Sequence, residues 1–566
     1  MKLPFFGGAM ALVVAVTLSV SALGADAINT ARKGIDPFWN GATVYFMLTD
    51  RFLDGDPTND NAYGNPHDGA VLRNFMGGDI KGITKKINDG YFDALGIDVL
   101  WMTPLIEQIH GAWSETWGKS YAFHGYWPKD WTKVDPNYGT EADMAEMIKA
   151  AHKHGIRVLA DVIMNHTGPE TPRDPAWPKD WIRTGPLCDF KSFAGTVSCT
   201  VASSLTDMRT DVSTDVPLPP LLIRKWKAEG RLAQETAELD AFFKRTGLPR
   251  APKNYFIKWL TDWVREYGID GFRVDTAKHV DPEVWLALRG EATKALVDWK
   301  ARHPQEKIDD KPFFMVGEVF DYGLKGFRHD VPGSRDFDYG DRKVDFFANG
   351  FDSLINMAFP THAHESMEKL FSSYSASLHG GPFDGVGILN YEVSHDDPAP
   401  YDKARKHPFN DALKLMLAPG AAQIYYGDEL ARSLTIPGTI GDATLRSFMN
   451  WDDLSQAKTR KLLSHWRKLG QFRHAHMAVG AGVHKMLSAQ PYIFSRVLED
   501  GGVHDKVLVA LHMPKGAKSL SVYGLFADGT VLKDYYSGAR VTVKDGKVAL
   551  TSGATIVLLG EPKPAH

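Results

Sequence analysis

Short apolar runs alternate with amphipathic stretches along most of the chain. Eight runs rich in apolar, β-branched and aromatic residues predict strands, at positions 42–52, 98–104, 157–166, 271–277, 313–320, 351–359, 385–397 and 421–429. Helices are predicted between most of these runs. Residues 141–154 carry apolar side chains at positions i, i+3, i+4 and i+7, and residues 254–267 form a similar segment. Eight successive strand–helix units predict an α/β protein built on a (β/α)8 TIM barrel.

Two segments depart from this repeat. Residues 167–253 are too many for a loop between a strand and a helix, and they are rich in Pro, Asp and Trp. We therefore expect a subdomain inserted after the third strand, overhanging the barrel mouth. Beyond residue 478 the helical period gives way to short runs at 506–513, 519–526 and 554–559, which predict an antiparallel β-domain. The expected domains are a barrel (25–166 and 254–477), an inserted subdomain B (167–253) and a C-terminal β-domain (478–566).

The N-terminal 24 residues are typical of a targeting segment. Lys2 precedes an apolar stretch at 5–23 that ends in small residues, which predicts a cleaved signal peptide, the alternative being an uncleaved membrane anchor. We therefore expect an exported protein, periplasmic or extracellular, with no membrane span after cleavage. Export would allow the two cysteines, Cys188 and Cys199, to form a local disulfide bond, the alternative being two free thiols.

Composition narrows the possible functions. The chain has 566 residues, of which 43% are hydrophobic and 24% charged, which excludes a low-complexity or disordered chain. The formal net charge is −4, so no general cationic field exists to bind a phosphate backbone. Nucleic acid is therefore excluded as an expected partner.

Polar side chains close four of the predicted strands. They are Asp161, Asn165 and His166 on the third, Arg273, Asp275, Lys278 and His279 on the fourth, Glu318 on the fifth, and Ser394, His395 and Asp396 on the seventh. Because the strand C-termini of a barrel and the loops that follow them build its active site, these residues are expected at one rim. Arg273 and Asp275 have i, i+2 spacing, which places both on one face of a strand.

Each of these residues taken singly has an ordinary structural interpretation. An acidic residue at a strand end is more often a helix cap or a solvated charge, and Arg273 with Asp275 could be a structural ion pair. His395 and Tyr126 could be buried core residues. Four polar clusters at four strand ends, in order, favour an active site. His474 and His476 lie on a predicted terminal helix and are expected at the surface.

Together the four clusters resemble the four signature regions of the α-amylase family of retaining α-glucan hydrolases. Residues 96–104, 122–127 and 135–140 are similar to further segments of that family, and residues 446–451 resemble a segment that flanks its sugar site. The resemblance spans about residues 42–451 in the family's order. The long inserted segment looks most similar to that of bacterial periplasmic α-amylases.

The resemblance implies a division of labour among three carboxyl groups. Asp275 would be the nucleophile, Glu318 the general acid/base, and Asp396 the carboxylate that stabilises the transition state. Retention requires the first two carboxyl groups to lie about 5–5.5 Å apart, one ionised and one protonated. We expect Arg273 to keep Asp275 ionised, and burial with negative neighbours to raise the pKa of Glu318.

The resemblance also implies sugar-contacting residues around the three carboxyl groups. The expected set is His124, Tyr126, His166, Arg273, Lys278, His279 and His395. Tyr126 would serve as a stacking platform, and Lys278 and His279 would reach the leaving-group side.

Calcium is the expected cofactor, in a structural role. The family resemblance implies a site formed by Asn165, Asp207 and the backbone carbonyl of His279, which would pin the inserted subdomain to the barrel. A second oxygen-rich segment resembles an additional N-terminal calcium site of some relatives, with a polar turn as the alternative interpretation. Its candidate residues are Asp54, Asp56, Asn59, Asp60, Gly77 and Asp79.

The expected function is endo-acting hydrolysis of α-1,4-glucosidic bonds in starch or maltodextrins, by a monomer. Within the enzyme class, the alternatives are a maltooligosaccharide-forming hydrolase or a glucanotransferase, because a sugar hydroxyl can intercept the same covalent intermediate. From a different class, the alternative is an inactive glucan-binding protein on the same barrel. The presence of Asp275, Glu318 and Asp396 argues against it.

Overall fold

The computed structural model describes residues 34–116, 118–326, 334–397 and 399–563. The predicted signal peptide at 1–24 lies outside these ranges. Within them, no helix combines the length and the apolar character needed to cross a bilayer.

Eight parallel strands close into a barrel, and each lies within one of the eight predicted runs. They are β1 (Thr43–Met47), β2 (Val99–Met102), β3 (Arg157–Val162), β4 (Gly271–Val274), β5 (Phe314–Gly317), β6 (Ser353–Asn356), β7 (Gly387–Tyr391) and β8 (Ala421–Tyr425). Each strand pairs with its neighbours in chain order, and β8 returns to pair with β1. The predicted (β/α)8 barrel is confirmed.

The barrel strands are buried on both faces, which explains why they are continuous apolar runs rather than alternating ones. Nearly every residue of the eight strands is buried. Inward side chains fill the barrel, while outward side chains pack under the helices.

The helices of the barrel form its outer layer. The longer ones are Ile80–Asn88, Glu141–Lys153, Pro252–Tyr267, Glu283–Arg302, Met367–Leu378, Pro408–Met416 and Ala457–Ala475. Shorter helical segments are Pro37–Gly41, Thr49–Phe52, Tyr91–Leu95, Ala277–His279, Phe359–His362, Asp428–Leu430, Gly441–Leu445, Trp451–Ser455 and Ala478–Ala481. Helix Glu141–Lys153 starts where predicted because Thr140 and Asp143 form a reciprocal capping box.

The segment after β3 forms the predicted inserted subdomain. A three-stranded antiparallel sheet joins His166–Thr167, Thr206–Met208 and Ile182–Arg183, and the helices are Ala194–Val197, Pro220–Ala228 and Leu232–Thr246. Cys188 and Cys199 form a disulfide bond here, as predicted. Three small two-stranded sheets lie in the loops around the barrel: Ile106–Gln108 with Pro128–Val134, Trp113–Glu115 with Gly118–Ser120, and Phe337–Asp338 with Lys343–Val344.

The C-terminal part is an antiparallel β-domain, as predicted. Its six-stranded sheet runs in the order Val483–Ala489, Tyr492–Asp500, Val503–Leu511, Val557–Gly560, Val531–Asp534 and Arg540–Thr542, and Gly516–Ser521 pairs with Lys547–Ser552. One local expectation is wrong: His476 is fully buried rather than at the surface. Its Nδ1 lies 2.9 Å from Asp505 Oδ1, so the ring joins the last barrel helix to the β-domain.

Candidate active site

Two carboxylates converge on one guanidinium at the C-terminal rim of the barrel. Asp275 directly follows β4 and Glu318 directly follows β5. Arg273 Nη1 lies 2.8 Å from Asp275 Oδ1, and Arg273 Nη2 lies 2.9 Å from Glu318 Oε1. Because the two nitrogens belong to one planar group, the two carboxylates face the same small volume.

Asp161 is a third carboxylate on the same guanidinium, and sequence reasoning gave it no role. Arg273 Nη1 lies 3.0 Å from Asp161 Oδ1. Asp161 Oδ2 accepts hydrogen bonds from Tyr126 OH at 2.8 Å and from Trp101 Nε1 at 3.0 Å. Asp161 and Arg273 are register partners in the neighbouring strands β3 and β4, a pairing that only the folded barrel fixes.

Thr276 fixes the orientation of both Asp275 and Glu318. Its backbone N–H donates to Glu318 Oε2 at 2.8 Å, and its hydroxyl donates to Asp275 Oδ2 at 2.9 Å. Thr276 has a φ of 47°, in the left-handed region that a β-branched residue rarely adopts. This strained backbone is retained at the point where one residue bonds both carboxylates.

The crowding of negative charge raises the pKa values of these groups. Burial raises the pKa of Glu318, and the charges of Asp275 and Asp396 raise it further, as expected. Burial also raises the pKa of Asp275, although Arg273 and Thr276 lower it. Arg273 favours the ionised form of Asp275, as expected, but it is shared with Asp161 and Glu318 and does not offset the effect of burial. Burial likewise raises the pKa of Asp161 to about 7.

Asp396 has the opposite electrostatics. It lies in the loop after β7, and its side chain is 40% exposed to the cleft. Its Oδ2 lies 2.8 Å from His395 Nε2, and its Oδ1 forms an ion pair with Arg446 Nη2. Burial raises the pKa of Asp396, but His395 and Arg446 outweigh it and the pKa is lowered. Asp396 therefore stays ionised under conditions in which Glu318 holds its proton.

The rings predicted to surround the sugar are grouped around Tyr126. The Tyr126 ring stacks on His395 with centroids 5.1 Å apart. The Tyr126 backbone carbonyl lies 3.1 Å from His166 Nε2, and the Tyr126 N–H donates to His124 Nδ1 at 3.0 Å. Burial lowers the pKa of His166 to about 4 and that of His124 well below its usual value, so both rings are neutral near pH 7.

Lys278 and His279 lie in the short helical segment Ala277–His279, which follows β4. Lys278 Nζ donates to the carbonyl of Phe320 at 2.8 Å. His279 Nδ1 lies 2.9 Å from the carbonyl of Thr196, so its ring faces the inserted subdomain. A separate cavity at Glu318 is lined by Phe320, Met357, Thr361 and Asp396, and neither Lys278 nor His279 lines it.

The first candidate calcium site lies where the inserted sheet joins the barrel. Asp207 pairs with His166 across that sheet, and the Met208 N–H donates to the carbonyl of Asn165 at 2.7 Å. Asp207 Oδ1 is buried and has no hydrogen-bond partner among the described residues, while Oδ2 lies 2.7 Å from Arg183 Nε. Burial raises the pKa of Asp207 to about 8. An orphaned buried carboxylate oxygen fits a hard cation.

The second candidate site is only partly assembled for a cation. Asn59 Oδ1 and Asp60 Oδ1 are buried without a hydrogen-bond partner among the described residues, and a Cβ on Gly77 would lie 2.7 Å from Asp60 Oδ1. Asp56 instead pairs with Lys81 at 2.6 Å, and Asp79 Oδ1 caps a helix by accepting from Gly82 N at 2.7 Å. The nearby carboxylates of Asp54 and Asp56 add to burial in raising the pKa of Asp60.

Metal ligands other than side-chain carboxylates and imidazoles would be needed at both sites. Within the described ranges, no group of three or more His, Cys, Asp and Glu residues is arranged to hold a metal ion. Amide and backbone oxygens, such as those of Asn165, Asn59 and His279, would therefore have to complete either site.

A parallel barrel with carboxylates converging at its strand ends, a subdomain after β3 and a C-terminal β-sheet defines the molecule as a glycoside hydrolase of the (β/α)8 class. The family model described as the α-amylase catalytic domain matches residues 46–177. The chain is 36% identical over 533 residues to the periplasmic α-amylase of Escherichia coli (strain K12), covering 84% of this chain and 72% of that protein. The chain therefore belongs to the α-amylase family.

Two further comparisons place the chain among related proteins. It is 26% identical over 493 residues to the cyclomaltodextrin glucanotransferase of Geobacillus stearothermophilus, covering 85% of this chain and 61% of that protein. A solved structure of an Anoxybacillus α-amylase superimposes with a TM-score of 0.60 at 22% identity, covering 93% of this chain and 99% of that one. The structural likeness supports the shared fold.

Proposed function

We propose that the protein cleaves internal α-1,4-glucosidic bonds of starch or maltodextrins with retention of configuration. The observation that carries the proposal is the binding of Asp275 and Glu318 to neighbouring nitrogens of Arg273. A retaining enzyme needs two carboxyl groups about 5–5.5 Å apart, without room for a water molecule between them and the sugar. One shared guanidinium is a compact way to bring two carboxyl groups together.

The two carboxyl groups would exchange roles during the cycle. Glu318, whose pKa burial and negative neighbours raise, donates its proton to the glycosidic oxygen as the bond to the anomeric carbon breaks. Asp275 attacks that carbon and forms a covalent glycosyl-enzyme. Glu318, now ionised, takes a proton from water, and the hydroxyl oxygen displaces Asp275. Thr276 bonds both carboxyl groups and keeps their spacing through both steps.

Asp396 and the rings around Tyr126 would hold the reacting sugar. Asp396 is anionic and faces the cleft, so it stabilises the positive charge that develops on the sugar ring. Tyr126, His124, His166 and His395 would contact the sugar face and hydroxyls. Lys278 and His279 would lie towards the leaving group.

A glucanotransferase is the second candidate function. Several relatives are named cyclomaltodextrin glucanotransferases, among them that of Geobacillus stearothermophilus. Transfer uses the same glycosyl-enzyme, which a sugar hydroxyl intercepts in place of water. The ratio of transfer to hydrolysis products decides between the two functions. An inactive glucan-binding protein would form neither.

The deciding experiment is product analysis from maltoheptaoside blocked at its non-reducing end. We expect the wild type to release internal fragments with the α-configuration, and Asp275→Asn to lose this activity. Glu318→Gln should lose cleavage of the blocked substrate far more than cleavage of α-maltotriosyl fluoride, because fluoride leaves without protonation. Asp528→Asn, in the C-terminal β-domain, serves as the control and should behave as wild type.

Three outcomes would count against this assignment. Full activity in Asp275→Asn would remove that residue from its role. In Glu318→Gln, an initial release of fluoride that is slowed as much as cleavage of the blocked substrate would remove Glu318 as the general acid; the first turnover is compared because the second step needs Glu318 as base for both substrates. Transfer products in excess of hydrolysis products would favour the glucanotransferase.

We also propose one structural calcium ion. Asn165, Asp207 and the backbone carbonyl of His279 would hold it, and the ion would stabilise the inserted subdomain without taking part in the chemistry. Dialysis against a chelator should lower the thermal midpoint of the wild type, and calcium should restore it. In Asp207→Asn the chelator should have little further effect. An unchanged midpoint in the wild type would contradict the site.

Export and a monomeric state complete the proposal. The Escherichia coli relative is named a periplasmic α-amylase, and this chain begins with a segment typical of a signal peptide. Fractionation of expressing cells would show whether the mature protein is retained in the periplasm or leaves the cell. Light scattering would test the monomer.

A further inference from the structure

Arg446 contacts Asp396 directly. It begins the segment 446–451, whose side chains have no assigned roles in the proposed function. It follows the 3-10 helix Gly441–Leu445 in the loop after β8. Its Nη2 pairs with Asp396 Oδ1, and its Nε donates to the carbonyl of His395 at 3.2 Å. The Arg446 side chain is only 6% exposed, whereas that of Asp396 is 40% exposed. The guanidinium therefore lies behind the carboxylate, away from the open cleft.

Arg446 is itself held by a second acid–base pair. Asp442 Oδ2 lies 2.5 Å from Arg446 Nη2, and Asp442 Oδ1 lies 2.9 Å from Arg73 Nη2. Arg73 Nη2 also donates to the carbonyl of Ile440 at 3.2 Å. This chain of contacts joins the loops that follow β1, β7 and β8. The position of Arg446 is therefore fixed from two other loops.

The two arginines at the cleft, Arg273 and Arg446, differ in the carboxylates that they contact. Arg273 is shared by Asp161, Asp275 and Glu318, whereas Arg446 pairs with Asp396 and with Asp442. Both oxygens of Asp396 are engaged, one by Arg446 and the other by His395. With a partner on each oxygen, the carboxylate cannot rotate freely about its last side-chain bond.

We propose that Arg446 is a positioning residue that acts through Asp396, holding its carboxylate ionised and aimed into the cleft, with Asp442 and Arg73 keeping the guanidinium in place. The inference rests on the proposed function, in which Asp396 stabilises the transition state. Loss of Arg446 would leave the carboxylate of Asp396 with His395 on one oxygen only, so that it could rotate out of its orientation towards the sugar. The cost would appear in kcat rather than in KM.

A double-mutant cycle between Arg446→Met and Asp396→Asn tests the coupling, with α-maltotriosyl fluoride as the substrate so that slow variants stay measurable. In the wild-type background we expect Arg446→Met to lower kcat roughly 100-fold, comparable with losing one preorganised electrostatic partner, with little change in KM. In the Asp396→Asn background the same substitution should lower kcat by less than about threefold. Effects that multiply in full would overturn the proposal.

Two further variants separate positioning from folding and from direct sugar binding. Arg446→Lys keeps the charge and should retain more activity than Arg446→Met, and added guanidinium ion should restore part of the activity of Arg446→Met but none of that of Asp396→Asn. If Arg446→Met fails to fold, Asp442→Asn takes its place in the cycle, with a smaller loss expected in the wild-type background alone. A raised KM with unchanged kcat would overturn the proposal in favour of direct contact with the substrate.

The cycle also separates this inference from the proposed function. If Asp396→Asn retains the kcat of the wild type, the assigned role of Asp396 fails. If Asp396→Asn is inactive but the effect of Arg446→Met is fully independent of it, only the positioning role fails.

Discussion

Two buried ion clusters in this protein differ in how many cations each central carboxylate contacts. At the active site, Asp161, Asp275 and Glu318 share the single cation Arg273. Beside the inserted subdomain, the carboxylate of Asp130 contacts two cations: Lys225 Nζ lies 2.8 Å and Arg231 Nη2 lies 2.7 Å from Asp130 Oδ2. Arg273 is 1% exposed and Asp130 is fully buried, so burial alone does not distinguish the two clusters.

The pKa values follow the local balance of charge. Burial raises the pKa values of all three active-site carboxyl groups, and one shared cation does not reverse this. Burial also opposes ionisation of Asp130, yet Lys225 and Arg231 lower its pKa below the ordinary value. Glu318, which must hold a proton, thus has other carboxyl groups as neighbours. Asp130, which only joins structural elements, contacts two cations.

The Asp130 cluster has a structural task. Asp130 lies in the strand Pro128–Val134, Lys225 lies in helix Pro220–Ala228, and Arg231 precedes helix Leu232–Thr246. Lys225 also pairs with Glu107, Arg231 also pairs with Glu235, and both cations pair with Glu229. The cluster therefore joins two helices of the inserted subdomain to a strand in the loop region of the barrel. The active site, by contrast, lowers the stability of the fold in favour of function.

The largest effect should come from removing one acid of the active site. Asp275→Asn should lower activity on the order of 10⁴-fold or more, because no nucleophile remains. The same change should leave the free energy of unfolding equal or raise it by about 0–2 kcal/mol, since it relieves repulsion among three carboxyl groups. Chemical denaturation measured beside kinetics checks both. A clear loss of stability would break the comparison.

Asp130→Asn should have the reverse profile. It removes the buried partner that Lys225 and Arg231 share but leaves them Glu107, Glu229 and Glu235, so the free energy of unfolding should fall by about 1–3 kcal/mol, while kcat should stay within about twofold of the wild type. Because the folded pKa of Asp130 is lowered, its stabilisation is present above the unfolded pKa of about 3.9 and is lost as the pH falls below it. The difference in the free energy of unfolding between Asp130→Asn and the wild type should therefore shrink near pH 3.

The smallest effect should be a pH dependence of stability at Asp161. Its folded pKa is raised to about 7, so the folded state binds more protons than the unfolded state between about pH 4 and pH 7. The stability that this group contributes is present at low pH and declines as the pH rises through that window. The free energy of unfolding of Asp161→Asn, measured by urea denaturation, should therefore rise relative to that of the wild type between pH 5 and pH 8. A gap that narrows with rising pH would contradict the assignment of charge.

Much of the fold follows from local pattern. Each of the eight apolar runs contains one barrel strand, since parallel strands covered on both faces are apolar throughout. The helix predicted at 254–267 begins two residues earlier, at Pro252, because proline suits the first helical turn. The expected exposure of His476 is wrong because its burial depends on Asp505, which lies in the C-terminal β-domain.

The order of polar clusters along the chain also determined which strand ends carry chemistry, because a barrel brings every strand C-terminus to one rim. Tertiary structure alone decided how the charges are shared. Asp161 joins Arg273 because β3 and β4 are neighbours in register, and Arg446 reaches Asp396 because two loops distant in sequence meet above the barrel. Strand pattern is a local property of a few residues, whereas the pKa of a buried acid depends on every charge that folding places around it.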